Sequence, residues 1–307
     1  MICDEYYGIR LVQSLTDKNF IDIYNCYRQK TFDPNPLAHI SYNDFIKIDN
    51  LYFYLNNLHK NYKNRNILSR CQEVGFRDID NICKTHEKDL QKITVSLQKR
   101  CNLNCIMCHN SIQYEDPIIH KLYFDTLYKI KNNHLNRIEF TEEGEPFYYK
   151  DEMFTYLDSL TNNDCKSVKI VTNLTMLNDT DIYHLYDIKR NNNIDFNFMF
   201  SIDGITEETY KKIRKNNLFN KVIHNAELLI SLGFNCMIHF VVMPENLHEL
   251  SLYKQFWHEK GIIENYKIIA CVIFDYCHPM KNATQFVLSS KEWKEYNNNN
   301  ADNIMAS

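Results

Sequence analysis

The chain has 307 residues, 44% of them hydrophobic and 24% charged, with a net charge of -4. That is enough apolar material for one large α/β domain or two modest ones, so disulfide staples are not needed to hold a core. A pI near 6.3 argues against a surface built for nucleic acid, and no apolar run reaches the length of a membrane span. The opening MICDEYYGIR lacks the basic start and apolar core of a secretory signal. A cytoplasmic location is therefore expected. Thiols stay reduced there, so clustered cysteines suggest metal, cluster or redox chemistry.

Residues 1–90 read as a mostly helical region. FDPNPLAHIS, with two prolines in four residues, is a loop. YNDFIKIDNLYFYLNNLHKNY places Phe45, Leu51, Tyr54, Leu55 and Leu58 at helical spacing, and a helix packing on the main domain is the expectation. From about residue 92 the pattern changes. KITVSLQ alternates, with Ile93, Val95 and Leu97 on one face, as a strand does. Strand-like runs follow at 137–141, 167–173, 196–203, 235–243 and 266–274. Helical stretches lie between them at 117–132, 151–162, 178–190, 206–229 and 246–260. Six strands alternating with helices predict a parallel sheet with right-handed crossovers, either open or curled into a partial (β/α)6 TIM-like barrel. The expected organisation is a helical region (1–90), the alternating domain (91–275) and a C-terminal extension (276–307). The extension ends in EWKEYNNNNADNIMAS, expected to be disordered from its polar, low-complexity composition.

KRCNLNCIMCHN, just after the first strand of the alternating region, holds Cys101, Cys105 and Cys108. Ligands in α/β folds gather at the carboxyl ends of strands. An iron–sulfur cube takes four cysteines as a rule, so three leave one iron open to chemistry. Other readings compete. Structural zinc would need a fourth ligand such as His109. Cys105 and Cys108 form a C-x-x-C redox pattern. The thiols could also be small buried residues.

The segments that follow successive strands add to the triplet. FTEEGEPFYYKD follows the second strand, VTNLTML the third, SIDGITEETYKKIRKNN the fourth and VVMPENLHEL the fifth. Together with C-x3-C-x2-C they resemble the radical S-adenosylmethionine (SAM) superfamily over about residues 92–274. The wording is most similar to the branch that often carries a SPASM or Twitch extension. An auxiliary-cluster domain is not evident, since only Cys271 and Cys277 lie near the end of the alternating region. Cys3, Cys26, Cys71 and Cys83 have no metal-like spacing.

The resemblance implies that Cys101, Cys105 and Cys108 bind a 4Fe-4S cluster and that SAM is the second cofactor. It implies a SAM site of Met107, Gly144, Glu145, Asn173, Ser201, Asp203, Arg214, Val242 and Asn246. In the family the Gly-Glu-Pro segment receives the SAM amino group. Residues at the positions of Ser201, Asp203 and Arg214 bind the ribose and carboxylate. Residues at Met107, Val242 and Asn246 lie near adenine. This chain departs from the pattern at Glu143 and Leu174, where glycine is expected. The implied function is reductive cleavage of SAM to a 5′-deoxyadenosyl radical that abstracts hydrogen from a peptide or small-metabolite substrate. A low-potential donor such as flavodoxin or ferredoxin would supply the electron. The alternative is a non-catalytic or regulatory protein on a degenerate radical SAM scaffold.

Overall fold

The computed structural model describes residues 8–14, 17, 19–24, 36–61, 89–97, 99–108, 117–140, 144–262, 266–270, 287 and 289–299. The chain forms two compact units, one of residues 1–99, 115–169 and 188–195, the other of 100–114, 170–187 and 196–307.

The first unit begins with β1 (Gly8–Gln13), β2 (Phe20–Tyr24) and β3 (Ala38–Ser41), then α1 (Tyr42–Phe45) and α2 (Leu51–Asn61). It continues with β4 (Lys92–Ser96), α3 (Pro117–Lys129), β5 (Leu135–Phe140), a 3-10 turn (Pro146–Tyr149) and α4 (Lys150–Asp158). Its strands lie in the order β3-β2-β1-β4-β5. β1 and β4 are parallel, as are β4 and β5, whereas β1, β2 and β3 form an antiparallel meander.

From sequence the first 90 residues are expected to be mostly helical; their described part holds this meander as well as α1 and α2. β1 is buried on both faces, including Arg10 and Gln13, so it lacks the alternation that marks a half-exposed strand. The β1–β2 turn is closed by Asp17, not by glycine or proline. Its carboxylate accepts from the Asn19 amide at 2.9 Å, and its carbonyl accepts from the Phe20 amide at 3.1 Å. An aspartate can close such a turn with its own side chain.

β6 (Cys165–Thr172) and α5 (Asp179–Asn192) are divided between the units. The second unit contains most of β7 (Asp195–Ser201), then α6 (Glu207–Arg214), α7 (Phe219–Ser231), β8 (Asn235–Val242), a 3-10 turn (Leu247–Glu249), α8 (Leu250–Glu259), β9 (Tyr266–Ala270) and α9 (Lys291–Asn299). β7, β8 and β9 are parallel neighbours. The expected α/β class with parallel strands is observed, and all six expected strands are present within a few residues.

Two further expectations change. The single helix expected over 206–229 is two. Lys215 adopts φ 58°, ends α6, and the Asn216 side chain accepts from the Leu218 amide at 2.9 Å. The tail is not disordered throughout, because Lys291–Asn299 is helical. Trp293 is buried and stacks on Tyr296, over which Lys254 of α8 sits at 5.3 Å. Two aromatics three residues apart give this short polar segment an apolar face to dock. Residues 300–307 lie outside the described residues. So do Cys3, Cys26, Cys71, Cys83, Cys271, Cys277 and His109. Among the described residues no helix is long and apolar enough to cross a membrane.

Candidate cluster and cofactor site

β4 leads into the loop that carries the three cysteines. Within that loop the Leu103 amide donates to Cys101 Sγ at 3.4 Å and the Cys108 amide to the Cys105 carbonyl at 3.1 Å. The Ile106 amide donates to the Ile213 carbonyl near the end of α6, which ties the loop to that helix. Cys105 and Met107 are buried, Cys101 is half-buried and Cys108 is exposed. None of the three is in a disulfide.

Two other segments of the same unit reach the sulfurs. Asn173, after β6, donates from Nδ2 to Cys101 Sγ at 3.7 Å and to Asn102 Oδ1 at 3.1 Å. Its Oδ1 accepts from the Thr175 amide and hydroxyl, and Asn102 donates to that hydroxyl at 2.7 Å. The ring of bonds fixes which face of the amide meets sulfur. Leu174 follows with φ 62°, the left-handed conformation that glycine would adopt freely. Its carbonyl accepts from Asn225 Nδ2 and its amide donates to Thr172 Oγ1. The leucine therefore keeps a backbone shape suited to glycine, held by bonds at both ends.

Arg214 closes α6 and is 7% exposed. Its guanidinium donates to Cys105 Sγ at 3.6 Å and pairs with Asp203. Asp203 is fully buried, and its carboxylate also accepts from the Val241 amide at 2.8 Å. Burial pulls the Arg214 pKa down, but Asp203 and then Cys105 outweigh it, and the guanidinium stays charged. Burial pushes the Cys105 thiol up, and Arg214 opposes that by stabilising the thiolate. Gly204 permits this close fit, because a Cβ there would lie 3.0 Å from the Tyr210 amide nitrogen of α6.

Asn246 is wholly buried and joins the loops after β7 and β8. It donates to the carbonyls of Asp203 (2.9 Å) and Val241 (2.8 Å) and accepts from the Met243 amide (2.7 Å). Val242 is buried at the end of β8, and Ser201 is half-buried at the end of β7. The structure thus brings Cys101 to Asn173, Cys105 to Arg214 and Asp203, and Asp203 to Asn246. Gly144 and Glu145 belong to the first unit. There the buried Glu145 carboxylate caps the 3-10 turn by accepting from the Phe147 amide at 3.3 Å.

Sequence reasoning missed the second layer. Asn102, Thr175 and Asn225 hold the Asn173 segment. Glu249, buried, accepts from the Ile205 amide and Thr206 hydroxyl at the start of α6. Short polar side chains of this kind carry no spacing signal.

The donor set fits an iron–sulfur cube. Three thiols outside any disulfide stand in one loop, and N–H groups of Leu103, Asn173 and Arg214 are directed at two of the sulfurs. Hydrogen bonds to sulfur are how a protein tunes such a cluster. Among the described residues no three His, Cys, Asp or Glu side chains converge tightly enough for a single metal ion. A cube spreads its cysteines over separate irons and does not demand that convergence.

The chain is similar to the GTP 3′,8-cyclase of Clostridium botulinum (strain Hall), 26% identical over 156 residues, covering 48% of this chain and 46% of that protein. A probable GTP 3′,8-cyclase of Methanococcus aeolicus is 28% identical over 189 residues, covering 58% and 59%. The chain spans about half the length of the curated relatives it matches. Solved structures with some likeness are Streptococcus suis SuiB (TM-score 0.47, 15% identity, 88% of this chain and 62% of that one) and native anSMEcpe with bound AdoMet (0.44, 20%, 59% and 51%). The model of the radical SAM superfamily matches residues 95–256, more than half of the chain. The chain belongs to the radical SAM superfamily, whose enzymes use a 4Fe-4S cluster and SAM.

Proposed function

We propose that this protein is a radical SAM enzyme acting on a peptide or small-metabolite substrate. The observation that carries the reading is the Arg214 guanidinium, which joins Cys105 Sγ to a buried Asp203. Burial pushes the Cys105 thiol up, and the adjacent buried cation works against that by lowering the cost of the thiolate a cluster needs.

When bound, the cluster and SAM supply a 5′-deoxyadenosyl radical for hydrogen abstraction. The chain's own residues prepare that chemistry. Cys101, Cys105 and Cys108 act as thiolate ligands. Asn173 and Arg214 donate to sulfur and offset the negative charge that gathers there. Asp203 is a positioning residue that holds Arg214, and Asn246 fixes the loops around both. Met107, Val242, Ser201, Gly144 and Glu145 are proposed SAM contacts. A low-potential donor such as flavodoxin or ferredoxin would reduce the cluster, and a cytoplasmic location suits reduced thiols. The curated relatives are named for GTP, so a nucleotide is the small metabolite to try first. The left-handed Leu174 weakens the degenerate-scaffold reading, because the glycine-like backbone survives the substitution.

The test is anaerobic. The protein is reconstituted with iron and sulfide, and SAM and a strong reductant are added. About four irons per chain and release of 5′-deoxyadenosine, both lost in Cys105→Ala, are expected. A cluster with no SAM cleavage would return the reading to a binding protein.

A further inference from the structure

The Asn173 amide at Cys101 is held by a directional ring, and every residue that holds it lies in the second unit. Asn173 and Thr175 are both buried. The fixed point is a backbone bond, from the Thr175 amide to the Asn173 side chain at 2.9 Å. A backbone N–H can only donate, so the atom it meets is the oxygen and the nitrogen lies on the other side. That nitrogen is 3.1 Å from Asn102 Oδ1 and 3.7 Å from Cys101 Sγ. Direction then passes round the ring. Asn102 accepts from Asn173, so its own nitrogen donates to the Thr175 hydroxyl at 2.7 Å. The hydroxyl, having accepted, turns its proton onto Asn173 Oδ1 at 2.5 Å. Reversal would set the Thr175 N–H against an NH2 group and the amide oxygen against the Cys101 sulfur.

A line of bonds from α7 reaches the same amide. Asn225 is buried and donates to the Leu174 carbonyl at 2.9 Å. That carbonyl belongs to the peptide whose N–H, on Thr175, meets Asn173 Oδ1. From Asn225 to Cys101 the order is N–H to C=O, N–H to C=O, N–H to sulfur. Amide groups joined in series polarise one another, and each strengthens the next donor. The positive end of this series is at Cys101 Sγ.

We propose that Thr175 and Asn102 are positioning residues that raise the reduction potential of the cluster by aiming the Asn173 N–H at Cys101. The proposal rests on the cluster-binding part of the reading above. Reduction adds an electron to a centre already surrounded by thiolate charge. An N–H directed at a ligand sulfur stabilises the reduced form more than the oxidised one, so the electron is easier to accept.

The full chain, reconstituted anaerobically with iron and sulfide, is titrated reductively without SAM, and electron paramagnetic resonance follows the midpoint potential. Thr175→Val keeps the side-chain shape and removes the hydroxyl. Its potential is expected to be more negative, with the ratio of reduced to oxidised cluster at a fixed applied potential lower by about fivefold, the effect of one ordinary hydrogen bond. Thr175→Ser should restore the unaltered value. In an Asn173→Ala background Thr175→Val should shift the potential no further, because its effect passes through that amide. An unchanged potential in Thr175→Val, or an equal shift with and without the Asn173 amide, would overturn the proposal. If Thr175→Val does not fold, Asn102→Ala decides, since Asn102 is exposed. The same negative shift is expected there, again absent in the Asn173→Ala background, and a potential that does not move would overturn the proposal. SAM is left out throughout, so the result stands whether or not the chain cleaves it. An unaltered chain that takes up no cluster would overturn both the proposal and the enzymatic reading, whereas a cluster whose potential ignores Thr175 and Asn102 would overturn the proposal alone.

Discussion

Arg214 tests whether the cysteine loop depends on a buried charge. In Arg214→Met, Asp203 keeps its burial and loses its cation, and breaking a buried pair from one side costs about 3–5 kcal/mol. The double variant Asp203→Asn/Arg214→Met removes the orphan charge and should recover much of that loss in urea unfolding. Equal stability of the single and double variants would mean that the pair is not energetically coupled. Leu174 poses a contest of two terms. Its left-handed backbone costs about 1–2 kcal/mol, and its fully buried side chain contributes about 2–5 kcal/mol. Burial wins, so Leu174→Gly is expected to lower the melting temperature although it restores the family's residue. A higher melting temperature would show that strain dominates. The cysteine spacing was legible because it is local. The Asn102–Asn173–Thr175 ring was not, because Asn102 and Thr175 are 73 residues apart and nothing in either segment announces the other.

At the scale of elements, the strands from β4 onward could be read, β4 from its alternation and later ones from apolar runs, since a strand covered on both faces is expected to be apolar along its length. β4 and β5 break that rule where Lys92, Thr94, Arg137 and Glu139 put charge and hydroxyls into the sheet. Apolar periodicity sees such residues as interruptions. The network carries a pH signature. Burial raises the Glu139 pKa, but Lys92, Lys169 and Arg137 overcome it, and the folded value lies below the ordinary one. A depressed carboxylate contributes stability that is present above its unfolded pKa, about 4.3. That stability is lost as pH falls through the lower folded value. Glu139→Gln should therefore be less stable than the unaltered chain at neutral pH, and the gap should narrow as pH falls below the ordinary glutamate range. Urea unfolding across that range measures it, and a gap independent of pH would rule out the carboxylate as its source.

At the scale of the whole chain, the alternating β/α order from β4 onward was legible because each strand–helix unit is contiguous. The first unit's meander was not, because its meaning lies in pairing. β1 joins β4 through a parallel register from Gly8–Lys92 to Val12–Ser96, across 84 residues of sequence. Pairing changes what the first 85 residues do. A helical cover could be removed with the sheet left whole, and the cost would fall on turnover alone. Removing β1 instead exposes a full edge of β4, the strand that runs into the cysteine loop. An unpaired, apolar strand edge invites association with other chains. It also strips cover from Ile93 and Val95, both buried. A chain lacking residues 1–85 is therefore expected to aggregate, or to lose amide protection across Lys92–Ser96 in hydrogen exchange. A soluble, monomeric truncation with full protection on β4 would show that the meander is dispensable to the sheet. Its role would then be the narrower one of shielding the reaction.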